Sequence, residues 1–354
     1  MGNLLARATR RATLSHVRHV TPVPPGAASG LVARVYRQVE RDFGMLAPPI
    51  ALHAPAPAAL AASWVMLRES LLAAGLVRRT TKETVATAIS LANQCPYCVE
   101  VHSVTLTGLL PGADPTSIAA DRLDQVTDPA LRAVARWARS AGTDPGAELT
   151  VPAGQASELI GVAVVFEYLN RMVNLFLQPS LLPSALPDRA RATVMRVAAR
   201  IMRTLAGRPC PAGTSLELLP PAPLSPDLSW ATRRPEVADA FARASAAIED
   251  GGARTVPDRV RELLLARLAE DRPLPAGLSS RAWLDPAVGS LPHQDRAPAR
   301  LALLTAFAAY QVTDALVAEV GRQLGGDQAL IELTAWASLA AARRTGTRLH
   351  RLLA

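Results

Sequence analysis

Asn93-Gln94-Cys95-Pro96-Tyr97-Cys98-Val99-Glu100-Val101-His102 sets two cysteines three residues apart, with a histidine four residues beyond the second. Upstream, Val85, Ala86, Ala88, Ile89, Leu91 and Ala92 are apolar nearly all round a helical wheel, which predicts a buried helix. Pro96 suits the first turn of a new helix, predicted to run from Pro96 to about Leu109, before Pro111-Gly112. The stretch is therefore read as the turn of a helical hairpin, with Cys95, Cys98 and His102 along one face of the second arm. Peptide N–H groups at that helix start favour a thiolate, and imidazole one turn along can take a thiol proton. These arguments leave open which cysteine is the more acidic.

Outward from this hairpin the chain keeps one character. Hydrophobic residues make up 49% and aromatics 4% of 354 residues, so the cores must be built from Ala, Leu and Val, a mixture that favours helices. Helical periodicity recurs from Ala28 to Phe43 and Ala58 to Ala74 on the amino-terminal side, and from Asp128 to Ala141, Ala153 to Leu177 and Pro187 to Ala206 beyond the hairpin. No stretch alternates long enough to argue a sheet, and the expected fold class is all-α. Thr80 followed by Glu83 matches a capping box. Six prolines between Gly207 and Leu228 mark a boundary. The expected organisation is a basic tail (1–27), a helical domain with the cysteine pair (28–206), a Pro-rich linker or extended crossover (207–228) and a second helical domain without cysteines (229–354). Ala62 to Ala92 resembles Ala238 to Leu268, and Leu159-Ile160 matches Leu330-Ile331. The second domain thus reads as a degenerate copy, with Asp271 and Leu274 where Cys95 and Cys98 would fall.

Composition also excludes. The charge of +8 comes almost entirely from scattered arginines, Lys82 being the only lysine, and no concentrated basic stripe argues for nucleic acid. Three cysteines are too few for a disulfide-stapled scaffold, and a C-x-x-C pair in such a chain points to redox or metal chemistry. The basic segment from Met1 to Val20 lacks the apolar run of a signal peptide. The most apolar window, Leu159 to Leu177, is interrupted by Glu167, Asn170 and Arg171. No membrane span is expected, and the expected location is cytoplasmic.

Glu83, Cys95, Cys98 and His102 together fit Glu-x11-Cys-x2-Cys-x3-His, which resembles the pattern of the alkylhydroperoxidase (AhpD)-like, carboxymuconolactone decarboxylase superfamily. The likeness spans about Val32 to Leu177, including Phe166-Glu167-Tyr168-Leu169-Asn170-Arg171, similar to that family's closing helix. The resemblance implies an all-helical, homo-oligomeric, antioxidant peroxidase without bound cofactor or metal. Cys98 would meet the hydroperoxide, Cys95 would resolve the product into a redox-active disulfide, and Glu83 and His102 would relay protons. An external dithiol, lipoyl-type or thioredoxin-like, would restore the thiols. The chain departs from the family in carrying Tyr97 where a histidine can stand between the cysteines. Two other readings remain: an acid–base enzyme of the decarboxylase type, and a non-enzymatic redox or zinc module with Cys95, Cys98, His102 and a carboxylate as ligands. Asn170 and Arg171 read as structural, and Cys210 as a thiol without a role. Glu83 lies about 18 Å along an unbroken helix from Cys95, so a simple hairpin is expected to leave it far from His102, and a relay to need a bent or crossing helix.

Overall fold

The computed structural model describes residues 13–141, 143–182, 185–208, 210–270 and 282–353. Among them there are helices and turns but no strands, only isolated bridges pairing Val17 with Leu177 and Leu149 with Leu353. The long helices of the first half are α1 (Gly30–Asp42), α2 (Pro57–Leu67), α3 (Arg79–Ala92), α4 (Pro96–Leu109), α5 (Pro129–Arg139), α6 (Ala153–Phe176) and α7 (Asp188–Ala206). The second half adds α8 (Pro235–Thr255), α9 (Asp258–Ala269), α10 (His293–Ala308), α11 (Asp314–Leu324) and α12 (Asp327–Arg351). The all-α expectation holds.

Local chemistry sets several ends. Asp128 caps α5 by accepting the N–H groups of Ala130 and Leu131, with Pro129 as the first helical residue. Gly325 ends α11 in the left-handed conformation at φ 84°. The capping box expected at Thr80 does not form. Here α3 begins two residues earlier, its N-cap residue Arg78 makes no side-chain cap bond, and Glu83 spends its carboxylate elsewhere. The start of α3 is instead tied to α6 by Glu158, which accepts from Leu76 and Val77 N–H and pairs with Lys82 at 3.2 Å and Arg234 at 3.1 Å.

One apolar core runs through both halves, from Trp64 and Phe166 to Phe241 and Trp336. The helices that the sequence register equates lie against each other, α2 on α8 and α6 on α12. Gly346 makes the second crossing possible, because a Cβ there would stand 2.6 Å from a Val164 methyl. By length and composition alone α6 could cross a membrane. In the fold it is a core helix, 89% buried over that window. The Pro-rich segment is an ordered crossover: Glu69 accepts from Gly213 N–H, Ser215 N–H and the Ser215 hydroxyl, and Leu218, Leu219 and Leu228 are buried. Asp271 and Leu274, the positions aligned with the cysteine pair, lie outside the described residues.

Candidate active site

The α3–α4 turn is built by backbone hydrogen bonds. Cys95 N–H reaches back to Ser90 C=O (2.9 Å) and Gln94 N–H to Leu91 C=O (3.1 Å), the paired bonds of a Schellman turn. Gln94 holds the left-handed position at φ 48°, where glycine is usual. Cys95 is therefore the N-cap residue of α4, Pro96 opens the helix, and Cys98 follows on its first turn. Both thiols are free and buried.

The hairpin resolves the distance expected between Glu83 and His102. Glu83 lies ten residues before Asn93 and His102 seven after Cys95, so the two arms bring them face to face without a bend. His102 Nδ1 meets Glu83 Oε2 at 2.7 Å, and Arg79 Nε donates to Glu83 Oε1 at 2.8 Å. Burial pushes the Glu83 carboxyl up, but Arg79 and His102 outweigh it and hold the group below its ordinary value. The Phe166 ring stands edge-on to His102 with centroids 4.4 Å apart, fixing the imidazole between carboxylate and aromatic wall.

Cys98 and His102 line one cavity of about 270 Å³, walled chiefly by carbon, including Phe43, Met45, Leu71 and Phe166. Cys95 lines a separate, open groove of about 580 Å³ with Ser90, Gln94, Glu100 and Ser180. Burial, then the neighbouring Cys98, push the Cys95 thiol well above its ordinary value, while the Cys98 amide and the Asn170 side chain act the other way. Burial in the turn therefore holds Cys95 as a thiol at rest. The four residues of the spacing pattern are thus brought together, Glu83 through His102 and the two cysteines through one helical turn.

A family model for the carboxymuconolactone decarboxylase family matches residues 58–140, from α2 to the end of α5 and including all four residues. The chain is 35% identical over 334 residues to an alkyl hydroperoxide reductase of Mycobacterium tuberculosis, covering 94% of this chain and 95% of that protein. The chain belongs to the alkylhydroperoxidase-like, carboxymuconolactone decarboxylase superfamily. The relative spans both halves, so the whole two-part chain, and not the cysteine-bearing half alone, is shared with it.

In this superfamily member the structure adds residues to the site that the spacing pattern does not contain. Asn170, read from sequence as structural, donates to the Ser90 hydroxyl at 3.1 Å and so sits behind the residue whose carbonyl holds Cys95. Asn93 donates to Glu167 at 3.0 Å; Glu167 also binds Arg171, and Arg171 reaches Ala306 C=O in the second half at 3.0 Å. The N-terminal segment is docked from Thr13 on, and Thr13 and His16 line the cavity. Helix α7 lies over α4 and contributes Ala198 and Met202 to the cavity wall. It is held by Arg191 on Glu100 at 3.3 Å and by the close approach of Gly108 to Ala199 C=O. No periodicity or motif announces these contacts, which join segments far apart in the chain. Tyr97 packs at 6.3 Å from His16, ring edge to ring, and its hydroxyl is raised by burial. Cys210 is buried in the crossover among other residues. Among the described residues no three His, Cys, Asp or Glu side chains converge as metal ligands would, so the four-ligand zinc set is not assembled.

Proposed function

We propose that the protein is a thiol-dependent peroxidase that reduces hydroperoxides through a Cys98–Cys95 disulfide cycle. The observation that carries this reading is the placing of Cys98 and the Glu83-bound His102 on one apolar cavity, with a second thiol one helical turn away. His102 takes the Cys98 proton, and Glu83 stabilises the imidazolium that results. The Cys98 thiolate attacks the terminal peroxide oxygen: an S–O bond forms, the O–O bond breaks, and the alkoxide leaves with the proton held by His102. Cys95 then displaces hydroxide from the Cys98 sulfenic acid, forming the S–S bond and releasing water with the proton Cys95 gives up. An external dithiol of lipoyl or thioredoxin type reduces the disulfide. The name of the mycobacterial relative supports a peroxide substrate.

We propose further that the second half is a cysteine-free copy of the first that packs behind the helices carrying a single site per chain. The mutual packing of α2 with α8 and α6 with α12 supports this. The deciding experiment is hydroperoxide consumption with dihydrolipoamide as donor. Wild-type protein is expected to turn over and Cys98→Ser to lose turnover; undiminished turnover in Cys98→Ser sinks the reading.

A further inference from the structure

The cavity against Cys98 holds few polar groups, and most are already committed. The Thr13 hydroxyl donates to Leu46 C=O at 2.9 Å, and His102 Nδ1 is bound by Glu83. His16 differs. It comes from the N-terminal segment, outside the region matched by the family model, and its Nδ1 is buried with no hydrogen-bond partner among the described residues. The segment that presents it is fixed on both sides. Gln178 N–H donates to His16 C=O at 3.0 Å, Arg18 N–H to Phe176 C=O at 2.7 Å, and Arg18 Nε to Leu177 C=O at 3.1 Å. With Nδ1 shut away and no bond made by Nε2 among the described residues, Nε2 is the nitrogen of this cavity-lining ring left to meet a ligand.

The tautomer follows from that burial. An N–H group shut away without an acceptor costs more than a bare lone pair, so Nδ1 carries no proton and Nε2 carries it. Burial also lowers the His16 pKa, so the ring is neutral at pH 7 and keeps this form. The other titratable groups lining the cavity are Tyr97, Cys98 and His102.

We propose that His16 is a substrate-binding residue whose Nε2–H donates a hydrogen bond to the hydroperoxide and to the alkoxide that leaves it. A neutral imidazole suits that task. It can stabilise negative charge growing on the departing oxygen without competing with His102 as proton donor or with Cys98 as nucleophile. The covalent step is unchanged: S–O forms, O–O breaks, and the proton delivered to the alkoxide is the one His102 received from Cys98. Because His16 belongs to the N-terminal segment, that segment is part of the site and not a tail attached to it.

This inference rests on the peroxidase reading, and steady-state kinetics with cumene hydroperoxide and dihydrolipoamide separates the two. In His16→Phe, which keeps a ring but removes the donor, kcat/KM for the peroxide is expected to fall about 10- to 100-fold. His16→Gln, which restores an N–H donor, is expected to recover most of that loss. The pH dependence of Cys98 alkylation by iodoacetamide, mapped by mass spectrometry, is expected to stay at its wild-type midpoint in both. His16→Leu repeats the donor deletion should the Phe variant fold poorly, as judged by circular dichroism. An active wild type with His16→Phe or His16→Leu within twofold of it overturns this inference alone, as does a His16→Gln variant no better than the donor deletions. A wild type that consumes no hydroperoxide removes the peroxidase reading and this inference with it.

Discussion

Cys95 and Cys98 are one helical turn apart, yet they face different surroundings. Cys98 opens on an apolar cavity shared with His102, while Cys95 lies under a more open groove edged by Glu100 and Ser180 and is backed by Ser90 and Asn170. The difference teaches that neighbouring thiols on one helix can be given separate tasks by what packs behind each. A helix start favours thiolate at both positions. Burial and the adjacent sulfur push the Cys95 thiol the other way.

The sharpest way to break this contrast is to exchange the thiols for hydroxyls one at a time. Cys98→Ser should lower turnover by about 10³-fold or more. Cys95→Ser should also stop the cycle but allow one round of oxidation, so that dimedone labels Cys98 after peroxide treatment. Equal dimedone labelling at Cys95 in the Cys98→Ser protein would erase the distinction between the two sides.

Next in size is Glu83→Gln, which leaves His102 without its carboxylate. A general-base contribution of this kind is worth about 10²-fold in kcat/KM. The same variant tests the linkage of charge to stability. The folded-state pKa of Glu83 lies below its ordinary value of 4.5, so the ion cluster contributes stability above that value and loses it as pH falls through the folded pKa. The Tm difference between wild type and Glu83→Gln is therefore expected to be full at neutral pH and to shrink in acid. A gap that widens in acid would contradict the assignment.

Gly108→Ala acts on the cover rather than on the chemistry. The new Cβ would stand 2.3 Å from Ala199 C=O, forcing α7 away from α4 at a cost of about 1–3 kcal/mol. Thermal melts read the cost, and peroxide KM is expected to rise as the Ala198–Met202 wall shifts. The smallest effect is expected at the turn itself. Gln94→Gly relieves a left-handed residue and should raise stability by about 1 kcal/mol with little change in rate.

Much of this was legible in the sequence because it is local. The Ala/Leu composition and the helical periods give all-α, and the hairpin with Cys95, Cys98 and His102 on its second arm follows from Pro96 and spacing alone. Glu83 was legible as a member of the set but not as a neighbour of His102. Distance counted only from Cys95 back to Glu83 leaves out the seven residues forward to His102 on the returning arm, and the Thr80–Glu83 pattern suggested a cap that does not form. Asn170 and His16 were not legible in their roles. Each acts through contacts made across long sequence separations, and neither carries a motif. Nor do the length and hydropathy of α6 show by themselves that it is a core helix, since composition does not say which helix will cover its faces.

That cover arrives late. Nothing of α12 exists until about 150 residues after the end of α6 have been made, which at roughly 5–20 residues per second takes about 8–30 s. For that interval a nascent segment with the length and hydropathy of a membrane span stands without its partner helix. That waiting time on the ribosome is an interval in which the segment is open to capture by chaperones or to aggregation. Synonymous changes that slow translation between residues 177 and 326 should lower soluble yield without altering a single contact in the finished protein.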